Sequence, residues 1–253
     1  MPEPLVGNAV NTVAQLRQRI ACNQSRSRAF PSFVLELLSL REDDSALDIG
    51  PGLGTQFIPV AERVRRVVGL DVSPEMVAEL RTRVAGPNAV LVVDDMDNLP
   101  DLDLGGPFTL VYAVYSLHYS QDPARVVKAV AGLLDGARAR FVTVTPDAGN
   151  NETWFADLGQ LYELPAEALG VPHVGRRLIL PAFLDTFRTV TCTTYRDRVR
   201  FSGLDALMAY YDACAPYCRP DKRDEALHYF RAKLDHDGTY EIEKHSLGVV
   251  GTL

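Results

Sequence analysis

The stretch Ala46-Leu47-Asp48-Ile49-Gly50-Pro51-Gly52-Leu53-Gly54-Thr55 decides the fold. It opens on an apolar run that suits one buried strand, breaks at three alternating glycines, and runs on into a helical pattern. Glycines in such a turn permit positive φ and let a ligand approach the backbone closely. A dinucleotide fingerprint of the GxGxxG type would want glycine at 55, where the chain has Thr55. Nor does that fingerprint ask for an acid two residues before the first glycine, where Asp48 stands. A carboxylate here repels a pyrophosphate and suits a ligand bearing a cationic amino group and a sulfonium. Taken alone, the loop also fits a tight strand-to-helix connection with no ligand.

Outward from the loop the chain alternates. Strands are predicted over 46–49, 67–70, 90–93, 108–113 and 140–145, and helices over about 55–64, 74–84 and 123–134. Such alternation means a parallel sheet with both faces covered. Ser73-Pro74-Glu75 supplies a capping hydroxyl, a proline at the first helical position and an acid suited to the helix dipole. Pro59 is expected to kink the helix over 55–64. Two helices precede the first strand, marked by Val10, Val13, Leu16 and Ile20, then by Phe33, Val34, Leu37 and Leu38 after the polar stretch 23–28. Asp71 ends the second strand, 21 residues after Gly50, where a carboxylate can accept both hydroxyls of a ribose. Asp94-Asp95-Met96 ends the third, where an acid can accept from an adenine amino group while Met96 packs on the ring. Three loops from adjacent strand ends converge on the sheet edge where open α/β folds bind ligands.

At this point the sequence resembles the class I S-adenosylmethionine-dependent methyltransferases. The matching pieces are Leu47 to Gly54, Val68-Gly69-Leu70-Asp71-Val72-Ser73, Asp95-Met96-Asp97-Asn98-Leu99-Pro100 and Phe108 to His118, within residues 44–146. The resemblance implies S-adenosylmethionine as cofactor, with Gly50 and Gly52 against its methionine part and Asp71 on the ribose. It further implies that Val72 and Met76 flank the adenine and that Asp95 with Met96 reads its edge. Asp48, Gly54 and Ala113 complete the expected cofactor contacts. The implied fold is α/β: a Rossmann-like seven-stranded, mostly parallel sheet with its last strand antiparallel, helices on both faces and helical cap insertions. Thr109 stands where the family usually has aspartate, but at the start of the fourth strand, away from the cofactor edge. The whole of 1–253 is read as one methyltransferase domain, with N-terminal helices over 1–43, a cofactor-binding core over 44–146, and a cap with the C-terminal strands over 147–253.

Beyond Pro146 the alternation breaks. The stretch 147–180 reads as a cap with a helix over 155–162, followed by a short helix near 181–187 and a strand over 189–201. In that strand Arg196, Arg198 and Arg200 alternate with Tyr195, Asp197 and Val199, a row that suits a protected edge more than an anion site. Helical faces follow at Leu204, Leu207, Met208, Tyr211 and at Leu227, Phe230, Leu234, before a last strand over 239–253.

Methyl transfer from a sulfonium is an in-line displacement, so positioning the nucleophile supplies much of the catalysis. Phenol, hydroxyl or ammonium acceptors must lose a proton, and His118, just past the fourth strand, is the candidate base, set against a structural histidine at a helix start. Tyr115, Trp154, His173, Tyr210 and Tyr211 are candidate acceptor contacts, although one tyrosine of the last pair is expected in a helical core face. Arg176 and Arg177 read as solvated charge before an anion site. No acid follows the fourth strand, which disfavours metal-assisted catechol methylation, and no Asn/Asp-Pro-Pro-aromatic turn of adenine or amide methylation stands there. Cys22, Cys192, Cys214 and Cys218 do not form zinc spacing; Cys214 and Cys218 are read as ordinary semi-buried thiols flanking Pro216, and no metal is expected. The net charge of −7 disfavours a broad embrace of nucleic acid, so the acceptor is read as a small molecule. The alternatives are an RNA or protein methyltransferase and a non-catalytic binder of the cofactor. No apolar run approaches a membrane span, and Met1-Pro2-Glu3-Pro4 lacks a basic signal-peptide start, so a cytoplasmic protein without a membrane partner is expected.

Overall fold

A computed structural model describes residues 12–22, 30–84, 86–214 and 217–253. Val10, the polar stretch 23–28 and Pro216 lie outside the described residues. Helices α1 (Val13–Cys22) and α2 (Phe30–Leu38) lead into β1 (Ser45–Ile49), α3 (Phe57–Ala61), β2 (Arg66–Asp71), α4 (Pro74–Arg81), β3 (Ala89–Val93), β4 (Leu110–Val114), α5 (Pro123–Leu133) and β5 (Arg140–Pro146). The second half comprises α6 (Glu152–Leu158), α7 (Ala166–Val174), α8 (Leu180–Thr186), β6 (Thr189–Phe201), α9 (Leu204–Ala213), α10 (Arg223–Asp237) and β7 (Tyr240–Thr252). The strands form one seven-stranded sheet in the order β3-β2-β1-β4-β5-β7-β6. Strands β1 to β5 are parallel, and β7 runs antiparallel to both β5 and β6. Every residue of β1 and β5 is buried, as expected for central strands covered on both faces.

Most departures from the predicted elements have local causes. Helix α3 is shorter than 55–64, and Pro59 does not kink it: it sits in the first turn, where a missing N–H leaves no bond unmade. The fourth strand starts at Leu110 and not at 108, because the Phe108 amide donates to Leu133 O at 2.9 Å, at the end of α5. The helix predicted over 155–162 begins earlier, at Glu152. Between it and α8, α7 and a π-helical turn over Gly175–Ile179 occupy a stretch that Pro165, Gly170, Pro172 and Gly175 make look irregular.

At the amino ends of the strands a buried ion pair fixes the sheet. Arg140 Nη2 donates to Asp44 Oδ2 at 2.8 Å and to Leu38 O at 2.7 Å, and Thr109 Oγ1 donates to Asp44 Oδ1 at 2.7 Å. Thr109 therefore serves β4's start. Burial raises the Asp44 carboxyl, but the bonds from Arg140 and Thr109 outweigh it and hold the group below its ordinary range.

The β6–β7 pairing carries the cap. Strand β5 pairs β7 only from Ser246 to Thr252, whereas β6 stays in register with β7 back to Tyr240. The segments Tyr195–Phe201 and Tyr240–Ser246 thus project past Pro146, beyond the carboxyl ends of the parallel strands. On this overhang Val199, Phe201, Tyr240 and Ile242 pack with Trp154, Leu207, Met208 and Phe230 of α6, α9 and α10 in a core of their own. Strand β6 is the sheet edge, and Arg198 and Arg200 pair with Glu241 across the hairpin.

Candidate functional site

The glycine loop is held from both sides. Gly50, Gly52 and Gly54 all take positive φ, +81°, +52° and +79°. A Cβ on Gly50 would lie 2.4 Å from Ser116 Cβ, so the turn after β4 packs directly on the loop, with Ser116 Oγ donating to Ile49 O. A Cβ on Gly54 would lie 2.3 Å from Leu80 Cδ1: Gly54 is buried in the seam between α3 and α4, and its role is packing. Ala113 is likewise buried, within the β4 core.

Asp71 is the hinge of the arrangement. Its Oδ2 accepts from Gly52 N and its Oδ1 from Ser73 N, both at 2.9 Å. Each oxygen keeps lone pairs for further donors, which is what a ribose diol offers. Burial pushes the Asp71 carboxyl up and the two amides oppose that shift. Ser73 Oγ caps α4 by accepting from Met76 N at 3.3 Å. That cap leaves Val72 as a 48% exposed apolar shelf, while Met76 turns into the core behind it. Across the crevice, Asp95 accepts from Asp97 N at 2.9 Å and starts the 3₁₀ turn Met96–Asp101, with Met96 partly buried.

Asp48 is buried beside this site. Burial raises its carboxyl well above the usual range, Tyr112 on the neighbouring register position draws it back in part, and Asp71 adds to the rise. A cationic ligand in the crevice would favour the ionised form of this acid. The residues therefore fit S-adenosylmethionine: an open glycine turn, a ribose acid already oriented, an apolar shelf, and a buried acid awaiting positive charge.

The acceptor side departs further from expectation. His118 is buried, 5% exposed, with its Nδ1 lacking a partner. Burial, with the charge of Arg19 adding, lowers its pKa to about 3. That removes the basicity a general base needs, and His118 stands as a neutral imidazole. Tyr115 takes φ +57°, and its hydroxyl meets Ser246 Oγ at 2.7 Å, so it ties the β4 turn to β7. Trp154 is fully buried and stacks on Phe230 at 4.9 Å: it is the centre of the cap core, not a pocket wall. Both tyrosines of α9 are buried, Tyr210 bonded to Lys244 Nζ at 2.6 Å and Tyr211 donating to Arg219 O at 2.6 Å. His173 faces solvent on α7, and Arg176 forms a forked pair with Asp147 at 2.6 and 2.8 Å, so neither is brought to the crevice. Cys214 and Cys218 are buried, not semi-buried.

Two residues that sequence reading passed over, Arg19 and Lys244, come in from α1 and β7. Helix α1 lies over the loop, since a Cβ on Gly52 would sit 3.2 Å from Leu16 Cδ2. Arg19, one turn further on, shares that face. Lys244 is buried, its Nζ donating to Asn151 Oδ1 at 2.7 Å. Cys214 feels both cations: burial raises its thiol, but the Cys218 bond, Arg19 and Lys244 bring it down to about 7. The available signal was Lys244 itself, a cation in the inward register of Tyr240, Ile242 and Ser246.

Among known proteins, residues 46–136 match the family model described as a methyltransferase domain. The Probable ribosomal RNA small subunit methyltransferase A of Methanothermobacter thermautotrophicus is 35% identical over 81 residues, covering 32% of this chain and 30% of that protein. The chain thus spans about a third of that relative's length. The crystal structure of the YcgJ protein from Bacillus subtilis superposes with a TM-score of 0.58 at 17% identity, over 87% of this chain and 96% of that one. A geranyl diphosphate methyltransferase in complex with S-adenosylmethionine gives 0.53 at 17% identity, over 99% and 94%. Among the described residues no helix is long and apolar enough to cross a membrane, and no three His, Cys, Asp or Glu side chains are grouped to hold a metal.

Proposed function

We propose that the chain, whose residues 46–136 match a methyltransferase domain, is a class I S-adenosylmethionine-dependent methyltransferase that transfers the cofactor's methyl group to a small-molecule acceptor. The observation that carries the acceptor class is enclosure. Helix α1 reaches α4 through Arg17 and Glu79 at 2.6 Å, and reaches α9 through Gln18 Nε2 and Ala209 O at 2.8 Å. With Leu16 on the glycine loop and the cap raised on the β6–β7 overhang, α1 covers the loop from one side, which suits a small acceptor better than a polymer.

When bound, S-adenosylmethionine supplies a methyl group on a sulfonium, an electrophile that needs no metal. The chain's work is positioning. Gly50 and Gly52 let the methionine part lie on the backbone, Asp71 takes the ribose hydroxyls, and Val72, Met76, Asp95 and Met96 bound the adenine. Asp48 places negative charge near the cofactor's cationic end. His118 meets the acceptor as a neutral hydrogen-bond partner. Helix α1 and the cap carried by β6 and β7 belong to the same working unit as the core, one lying over the glycine loop and the other rising beyond the strand ends.

The test is label transfer. The full chain, incubated with methyl-tritiated cofactor and either a pool of small organic acceptors or total RNA, is expected to label the small-molecule fraction. Label in RNA or in protein would replace the acceptor class, and S-adenosylhomocysteine binding without any transfer would make the chain a cofactor binder.

A further inference from the structure

Tyr115 links the parallel strands to the β6–β7 hairpin. It follows β4 directly and takes φ +57°, a left-handed backbone that a bulky side chain rarely adopts. Such a conformation persists only where the surroundings over-determine it, and three contacts do so here. The Tyr115 amide donates to Val144 O of β5 at 2.7 Å, its ring meets the Phe30 ring edge-on at 5.5 Å between centroids, and its hydroxyl shares a hydrogen bond with Ser246 Oγ at 2.7 Å. Ser246 is fully buried in β7, opposite Pro146 of β5 on one side and Tyr195 of β6 on the other, at the root of the overhang. The residue after Tyr115 meets the glycine loop. Ser116 Oγ donates to Ile49 O, and Ser116 Cβ fills the space that a side chain at position 50 would need. Gly50 N is committed to Leu70 O at 2.8 Å, so the loop is clamped between β2 and the β4 turn.

Resting on the methyltransferase reading above, we propose that Tyr115 is a positioning residue for the cofactor: anchored on Ser246, it holds Ser116 against Gly50 and so fixes the loop on which the methionine part lies. Its action is indirect, through Ser116. The tether matters because the left-handed backbone at Tyr115 has no intrinsic stability of its own. Without the hydroxyl bond the turn relaxes toward ordinary φ, Ser116 withdraws, and Gly50 loses the wall that sets its height. In Tyr115→Phe the ring and the amide contact remain, so what goes is the one bond to β7. That bond joins the strand pair carrying the cap to the loop carrying the cofactor, and Ser246, far from Gly50 in the sequence, thereby contributes to cofactor affinity.

The test titrates S-adenosylhomocysteine calorimetrically into the full chain and its variants, with melting temperatures measured in parallel. Tyr115→Phe and Ser246→Ala remove the same bond from its two ends, and each is expected to weaken binding by about threefold to tenfold. The double variant should lose about as much as either alone, not the product of the two. Thr109→Val removes the bond to Asp44 at the amino ends of the strands; it should lower the melting temperature and leave affinity within about twofold, the pattern of a purely structural loss. Unchanged affinity in both single variants, however far their melting temperatures fall, would overturn the proposal. So would a loss in only one of them, or a double variant that loses the full product. Should Tyr115→Phe fail to fold, Ser246→Ala decides alone by the same threefold mark. A wild type that does not bind S-adenosylhomocysteine would instead strike the methyltransferase reading.

Discussion

In the parallel half of the sheet β1 to β4 run five or six residues each and stop at the crevice, whereas β6 and β7 run 13 residues each and continue past it. The short strands deliver loops, and the proposed cofactor residues of each loop are adjacent in sequence to the strand that carries it. The long pair delivers a platform, and what it positions comes from α1, α6, α9 and the strand itself. One half encodes its chemistry locally, the other only through tertiary contact.

Substitutions can break that comparison in graded steps. The largest effects should be on stability and should separate the halves by what they leave untouched. Trp154→Ala removes the centre of the cap core and is expected to cost about 3–5 kcal/mol in denaturant unfolding, with S-adenosylhomocysteine affinity of the folded protein changed by no more than about twofold. Arg140→Ala leaves Asp44 buried without its partner, for a loss of similar size, about 3–5 kcal/mol. In the intact protein the Asp44 contribution has a defined pH window. Because the folded-state value is depressed, this stability is present above the ordinary aspartate value of about 3.9 and is lost as pH falls through the lower folded value. A melting series below pH 4 on wild type and Asp44→Asn checks it: only the wild type should lose this increment on acidification.

Next comes Gly50→Ala, which forces a side chain into left-handed backbone and onto Ser116. Strain of about 1–2 kcal/mol from the backbone alone should weaken S-adenosylhomocysteine binding by about tenfold or more, while Gly136→Ala, at φ +104° with open space around it, should leave binding unchanged although it strains its own turn. The smallest effect concerns Asp48. With its carboxyl raised, S-adenosylmethionine affinity should climb with pH above the usual carboxylate range, by up to about tenfold per unit. Asp48→Asn should flatten the profile; an unchanged slope would mean that another group titrates.

The alternation of strands and helices and the residues of the first loops were legible because their signals are short-range. Three glycines, an acid at the end of β2 and a Ser-Pro-Glu cap each work within one turn of chain, so Asp71 and Ser73 could be placed from sequence alone. The roles of the cap residues were not legible for the opposite reason. Trp154, Tyr210 and Tyr211 belong to residue types equally at home in a pocket and in a core, and only the overhang of β6 and β7 decides for the core. His118 could be found, but not its loss of basicity, which comes first from burial in the folded chain and then from Arg19, a residue 99 positions away in sequence. Prolines and glycines hid α7 and the π turn, since tertiary packing on β5 overrides weak local propensity there.

The most direct test of the account is calorimetric titration of S-adenosylhomocysteine into the wild-type chain and into Asp71→Ala. Asp71 joins the glycine loop to the start of α4 and offers the ribose its acceptor oxygens, so the site stands or falls with it. The wild type should bind, and the variant should lose about 1.5–3 kcal/mol, tenfold or more in affinity. A wild type that does not bind, or an Asp71→Ala protein that binds equally well, would contradict the assignment of this crevice to the cofactor.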